Sequence, residues 1–276
     1  MAITAFKRNE LKFILDSRQY SALLPRLEEY MERDVNCRSG NDYGIYNIYY
    51  DTPDDRLIRT SLSKPKYKEK LRMRSYCSPA SPEDTVFLEL KKKTAGVVHK
   101  RRAVLSLREA EDFLRWRLRP ESESYMNRQV LNELEYFLNR NEVSPAAYIS
   151  YRRVALFGLD DPSFRVTFDR DILARRTELG LDRESFGLPI LAPGLYLMEI
   201  KVSGSVPLWL ADALAELGIY KASFSKYGME YKLHSIAASG GDDRRFRTAA
   251  LRAVSMPPAR REREAEKNAC SAHGAA

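Results

Sequence analysis

The stretch KYKEKLRMRSY, Lys66–Tyr76, alternates with period two. A strand built on it carries Lys66, Lys68, Lys70, Arg72 and Arg74 on one face and Tyr67, Glu69, Leu71, Met73 and Ser75 on the other. Five cations in a row on one strand face repel one another and are costly unless water or anions meet them. The strand therefore needs an apolar layer on one side and water or a polyanion on the other.

The same alternation recurs in both directions from this stretch. Strands are expected at about Ile3–Leu15, Gly44–Asp51, Thr85–Lys92, Val97–Leu107, Ala147–Phe157, Phe164–Arg170 and Gly194–Val202, with a short one at Ile172–Arg176. Phe87, Glu89 and Lys91 oppose Val86, Leu88 and Leu90. Val98, Lys100, Arg102 and Val104 oppose Val97, His99, Arg101, Ala103 and Leu105. Arg165, Thr167 and Asp169 oppose Phe164, Val166 and Phe168, and Glu199 and Lys201 oppose Met198, Ile200 and Val202. Arg8, Glu10 and Lys12 oppose Leu11 and Phe13. For any one strand, a solvated outer face is the ordinary explanation. Across the set, the cations are long and the carboxylates stand singly, as Glu10, Glu89 and Glu199. A closed sheet would turn these faces inward around a wet cationic channel, with helices covering the apolar outside. Strands that follow one another directly from Lys66 to Leu107 favour antiparallel pairing and an α+β class. Helical periodicity predicts helices at Ser17–Arg33, with Ser17 as N-cap, Asp54–Ser61, Leu107–Leu118, Ser124–Asn139 and Pro207–Leu217, the last stopped by Gly218.

Composition sets the outer bounds. The 276 residues are 44% hydrophobic, enough for a core, and 46 Lys plus Arg against 38 Asp plus Glu leave a net charge of +8. That balance points to an anionic partner without choosing among nucleic acid, a membrane surface and phosphorylated small molecules. Cys37, Cys77 and Cys270 lie far apart, so no disulfide framework is expected, as in a reducing cytoplasm. His99, His234 and His273 do not cluster, which argues against zinc. No run approaches a membrane span and the start lacks a signal-peptide apolar block, so a cytoplasmic protein is expected, with room for a membrane-associated partner. Residues 237–276 are rich in Gly, Ala and Arg and are expected to form a disordered basic tail, with a short helix near Phe246–Val254, after a folded domain at 1–236.

Eight motifs, taken in order, are similar to a known family: RNELKF (Arg8–Phe13), YYDTP (Tyr49–Pro53), KLRMRSY (Lys70–Tyr76), FLELKKK (Phe87–Lys93), YRRVALF (Tyr151–Phe157), RVTFDRDI (Arg165–Ile172), LMEIKVSG (Leu197–Gly204) and FSKYGMEY (Phe224–Tyr231). Each alone is weak, but eight in one order are specific. From about Phe6 to Leu233 the chain resembles a VTC domain, the vacuolar transporter chaperone type of the triphosphate tunnel metalloenzymes. The resemblance implies a closed antiparallel eight-stranded tunnel that makes polyphosphate by moving the terminal phosphoryl group of ATP onto a growing chain. By motif, it makes Lys12, Arg72, Arg74, Lys91, Lys100, Arg153, Arg165, Lys201 and Lys226 the phosphate-binding cations, with Arg8, Lys70 and Arg102 as a second tier. Glu199 matches the metal-binding glutamate for Mn²⁺ or Mg²⁺. Glu10 and Glu89 are secondary candidates, for the metal or for orienting the cations. Tyr151, Arg153, Ala155 and Phe157 share a face, so the pattern leaves Arg152 and Arg153 in competition and only motif spacing selects Arg153. Hydrolytic relatives open with Glu-x-Glu-x-Lys where this chain has Arg8, Glu10 and Lys12, which lowers the case for a second metal and favours a polymerase. The implied partners are ATP and polyphosphate or phosphate. A nucleic-acid partner is not expected, because the aromatics fall mostly on apolar faces rather than among the cations.

Overall fold

The computed structural model describes residues 9–37, 41–95 and 97–238. The hairpin decided by Lys66–Tyr76 is present: β4 (Tyr67–Ser75) pairs antiparallel with β5 (Thr85–Thr94), which pairs with β6 (Val97–Ser106). The other strands of the main sheet are β1 (Asn9–Asp16), β3 (Tyr43–Asp51), β7 (Ser144–Gly158), β8 (Arg165–Arg175) and β10 (Leu195–Val202). Their order is β1-β10-β8-β7-β3-β4-β5-β6. Short β2 (Met31–Arg33) pairs with β7, and β9 (Leu188–Pro189) pairs with β8. All the pairings are antiparallel. The two runs expected at Phe164–Arg170 and Ile172–Arg176 are one strand. It bends where Asp171 takes φ 51° and the register against β7 shifts.

Period two sorts each strand into an outer apolar face and an inner face. Leu71, Met73, Leu88, Leu90, Ala103 and Leu105 pack outward under α3 (Leu107–Trp116) and α4 (Tyr125–Arg140), against Phe113, Leu131, Leu134 and Phe137. Phe13, Leu15, Val166, Phe168, Met198 and Ile200 pack under α1 (Ser17–Glu28) and α5 (Leu208–Glu216), against Leu23, Leu27, Leu210 and Leu214. Each such fully buried side chain contributes about 1.5–3 kcal/mol, so the outer layer holds the curl of the sheet.

Helix α1 is capped by Asp16 rather than Ser17. The Asp16 carboxylate accepts from the Gln19 amide at 2.8 Å, and the Gln19 side chain accepts from the Asp16 amide at 3.0 Å. The helix stops at Glu28 rather than Arg33, because Met31–Arg33 is recruited as an edge strand on β7. Helix α2 (Arg56–Leu62) occupies the expected place after Pro53. Gly218 follows α5 with φ 62°, a left-handed conformation that glycine adopts without strain. Helix α6 (Lys226–Ala238) was not expected from periodicity. Its buried residues Lys226, Tyr227, Gly228, Glu230 and Leu233 do not form one apolar stripe, because its first turn inserts into a charged site.

The closed tunnel is corrected in one respect: among the described residues no hydrogen-bonded ladder joins β1 to β6. Both free edges are occupied. The backbone at 221–222 covers β1, with the Ala222 amide donating to the Lys12 carbonyl at 2.6 Å. The Asn127 side chain of α4 exchanges hydrogen bonds with the Val104 amide at 3.1 Å and carbonyl at 3.3 Å on β6. The sheet still curls far enough for Lys91 on β5 to reach within 4.0 Å of Glu10 on β1.

At one end the inner face turns apolar. Ile14, Leu197, Ile149 and Ala147 belong there to one apolar cluster with Phe224, Tyr227 and Leu233, so α6 and the segment before it cover that end. A bore open at both ends is therefore not what the packing builds. Among the described residues no helix is long and apolar enough to cross a membrane. The tail expected at 237–276, with its short helix, lies almost wholly outside the described residues, as does Arg8.

Candidate active site

The inner face surrounds a cavity of about 380 Å³. β4 supplies Lys70, Arg72 and Arg74; β1 supplies Glu10 and Lys12; β10 supplies Glu199 and Lys201; and β7 supplies Tyr151 and Arg153. Arg165 comes from β8, Lys91 from β5, Lys100 and Arg102 from β6, and Lys226 from the first residue of α6. All nine first-tier cations, Lys70 and Arg102 from the second tier, and both Glu10 and Glu199 thus face one space. Glu89, 1% exposed, lies just behind the wall. Arg153 points inward, while Arg152 points out and pairs with Asp42.

Two carboxylate knots hold the cations. Glu89 accepts from Arg72 at 2.6 Å and from Arg102 at 2.8 Å, and also pairs with Lys100. Burial alone would raise its pKa, but Arg72, Arg74 and Lys100 outweigh it and hold the carboxyl well below the usual range. The second knot is centred on Asp169 and Glu199. Arg153 forms a two-pronged pair with Asp169 at 2.6 and 2.7 Å. Lys226 bridges Asp169 and Glu199, and Lys12 sits 3.0 Å from Glu199 and 3.2 Å from Glu10. Burial would raise Glu199, but Lys226 and Lys12 draw it well below the ordinary carboxylate value. Burial would lower Lys226, and Asp169 and Glu199 reverse that, leaving it raised.

Other cations have no such partner. Arg74 is 5% exposed, and among the described residues it hydrogen-bonds the neutral Asn47 at 3.0 Å and the Tyr151 hydroxyl at 3.2 Å. Arg165 reaches Asp34 no closer than 3.9 Å, and among the described residues its buried Nε has no hydrogen-bond partner. Lys70 and Lys201 have no described carboxylate within 4.0 Å. Burial is the main cause that pushes each down to about 8, with neighbouring cations adding to it. Lys100 also falls to about 8, through burial first, because Glu89 is shared with two arginines. Eleven cations line the cavity. With Glu89 and Asp169 included, five carboxylates among the described residues face them, so positive charge is left in excess there.

Several residues of the site were not expected. Tyr43, Tyr49, Tyr76 and Tyr151 line it, with Asp34, Asn36 and Ser225. The statement that aromatics avoid the cations is corrected: these four tyrosines stand among them. Tyr43 and Tyr49 share the inner face of β3, and Tyr76 continues the face of Arg72 and Arg74, so alternation could have placed them. Nothing local marks Asp169 as the anchor of Arg153 and Lys226.

Among the described residues no group of three His, Cys, Asp or Glu side chains could hold a metal ion. Hard divalent cations are commonly bound through one or two carboxylates plus substrate phosphate oxygens. Glu199 and Glu10, which converge on the same Lys12 ammonium, fit that smaller requirement. Glu89, almost fully buried and gripped at once by Arg72, Arg102 and Lys100, does not.

Solved structures of remote likeness include a provisionally assigned adenylate cyclase from Bacillus halodurans. It has a TM-score of 0.46 and 16% identity, over 79% of this chain and 95% of that one. A second provisionally assigned adenylate cyclase, from Vibrio parahaemolyticus, gives 0.41 and 13%, over 83% and 99%. The Schizosaccharomyces pombe Mediator head module gives 0.39 and 11%, over 76% and 90%. A comparison with curated proteins finds no match. The family model for the VTC domain matches residues 7–234, most of the chain and every strand of the site, and the chain belongs to that family.

Proposed function

We propose that the protein is an ATP–polyphosphate phosphotransferase that moves the γ-phosphoryl group of ATP onto a growing polyphosphate chain inside a basic tunnel. The observation that carries this reading is the surplus of cations converging from seven strands and the first turn of α6 on one cavity without enough described carboxylates to neutralise them. Only a polyanion would relieve that many like charges at once. In this reading the curled sheet encloses the phosphates as a tunnel, and residues 1–236 act as one domain in the cytoplasm.

The chain's own residues do three things. Arg72, Arg74, Arg153 and Arg165 hold phosphate oxygens with directed N–H donors, and Lys12, Lys91, Lys100, Lys201 and Lys226 supply compact charge along the path. Glu89 and Asp169 set the angles of the cations they pair with. The acceptor is already an anion, so no general base is required, and no histidine among the described residues lines the cavity. Glu199 and Glu10 would hold Mn²⁺ or Mg²⁺, which supplies charge neutralisation on the transferring phosphoryl group.

Purified protein given ATP and Mn²⁺ should yield ADP and long-chain polyphosphate on a gel. Arg74→Ala and Glu199→Ala should each slow this by about a hundredfold or more, on the scale of losing one preorganised charge donor. Wild-type rates in both variants would refute the site. A second reading, hydrolysis of triphosphate or short-chain polyphosphate, is favoured by one feature: α6 covers one end of the inner face, which suits a short substrate. Free phosphate released without chain growth would select it.

A further inference from the structure

Aromatic side chains gather at the end of the cavity away from α6. Tyr76 lies two residues beyond Arg74 on the strand face that also carries Arg72, about 7 Å further along the chain. It lines the cavity and is 42% exposed. Its ring meets Phe87 edge-on at 5.7 Å and Tyr43 at 6.0 Å with the planes tilted by 52°. Tyr43 itself lines the cavity near Arg153, its partner across the β3–β7 ladder. The Arg102 guanidinium sits 4.6 Å from the Phe87 ring, so the aromatic group adjoins the cations directly. Elsewhere, aromatic rings have parallel partners already: Tyr30 stacks on Trp209 and Tyr20 on Tyr196. Among the described residues the ring contacts of Tyr76 are tilted or edge-on.

We propose that Tyr76, backed by Tyr43 and Phe87, is a stacking platform for the base of a nucleoside triphosphate whose phosphates lie among Arg72, Arg74 and Arg102. The inference rests on the triphosphate reading above. A rigid, part-exposed ring at the rim of a cationic cavity lets the site tell a nucleotide from bare polyphosphate, since only the nucleotide has a base to stack. Stacking accepts any π face, so the platform favours nucleotides as a class over one particular base.

Isothermal titration without divalent metal, which prevents turnover, separates the possibilities with two ligands, ATP and tripolyphosphate. Tyr76→Ala is expected to weaken ATP about tenfold, the scale of losing one base–aromatic stack, and to leave tripolyphosphate unchanged. Tyr76→Leu, which keeps apolar bulk without a π face, should behave like the Ala variant, and Tyr76→Phe should bind ATP like the parent. Equal weakening of both ligands, or no weakening of ATP, would overturn the platform while leaving the triphosphate reading intact. If the parent protein bound neither ligand, the triphosphate reading itself would fall.

Discussion

Lys201 and Arg153 are both inward-facing cations, but they stand in opposite electrostatic situations. Lys201 is half-buried with no described carboxylate within 4.0 Å, and burial holds its pKa down to about 8 although Glu199 and Glu10 act to raise it. Its charge is a cost to the folded state that a bound anion would offset. Lys201→Met should therefore leave stability unchanged or slightly higher in urea, yet weaken triphosphate binding by roughly tenfold, the worth of a hydrogen bond to a charged group. Arg153 is locked to the fully buried Asp169. Arg153→Ala leaves that carboxylate with Lys226 alone, and breaking a buried pair costs about 3–5 kcal/mol. A large drop in the urea midpoint is expected. A binding defect at unaltered stability would show that Arg153 is not structural as well. The residue types were legible in the sequence; which of the two was already neutralised was not, because the partner lies on another strand.

Among elements, α2 and α6 are tied to the sheet through one side chain. The Asp51 carboxylate at the end of β3 accepts from the Leu57 amide at 2.8 Å, the Ile58 amide at 2.9 Å and the Tyr227 hydroxyl at 2.8 Å. It thus satisfies the start of α2 and anchors the first turn of α6, the turn that also delivers Lys226 to the cavity. Asp51→Ala would strand those three buried donors. At about 1–3 kcal/mol for each unsatisfied group, a loss of at least about 3 kcal/mol should appear in chemical denaturation, with weaker triphosphate binding alongside. Binding retained at full strength would mean that α6 holds its position without Asp51. Strands with two unlike faces were readable at this scale because alternation is local. Helix α6 was not, since its buried positions include Lys226 and Glu230, whose burial only Asp169, Glu199 and Arg176 explain. Recruitment of Met31–Arg33 as a strand was hidden for a similar reason: its one apolar residue, Met31, continues the helical stripe until β7 offers an edge.

For the molecule as a whole, the crowding of cations makes stability and ligand binding respond oppositely to pH. Lys70, Lys100 and Lys201 have folded values near 8, below the ordinary value of 10.5. Between about pH 8 and 10.5 the unfolded chain therefore binds more protons than the folded one, so stability should rise with pH across that window. Below about pH 8 the full penalty of three crowded, partly desolvated charges is present. Triphosphate affinity should run the other way and fall above pH 8 as the same lysines lose charge. Melting curves with and without tripolyphosphate from pH 7 to 10 would check both slopes; parallel slopes would sink the account.

The sequence alone determined the two-faced strands, the helical cover they demand, the cationic character of one face and the family. These follow from periodicities that each residue shares with near neighbours, and from motifs in a fixed order. Only the tertiary structure decided that Glu89 and Asp169 each gather cations from several strands and that four tyrosines enter the site. It also decided that α6 closes one end and that β1 and β6 stop short of pairing. Such facts depend on registers between segments as distant as Lys12 and Glu199, 187 residues apart, and no local pattern encodes the distance between two side chains that meet only after the sheet has curled.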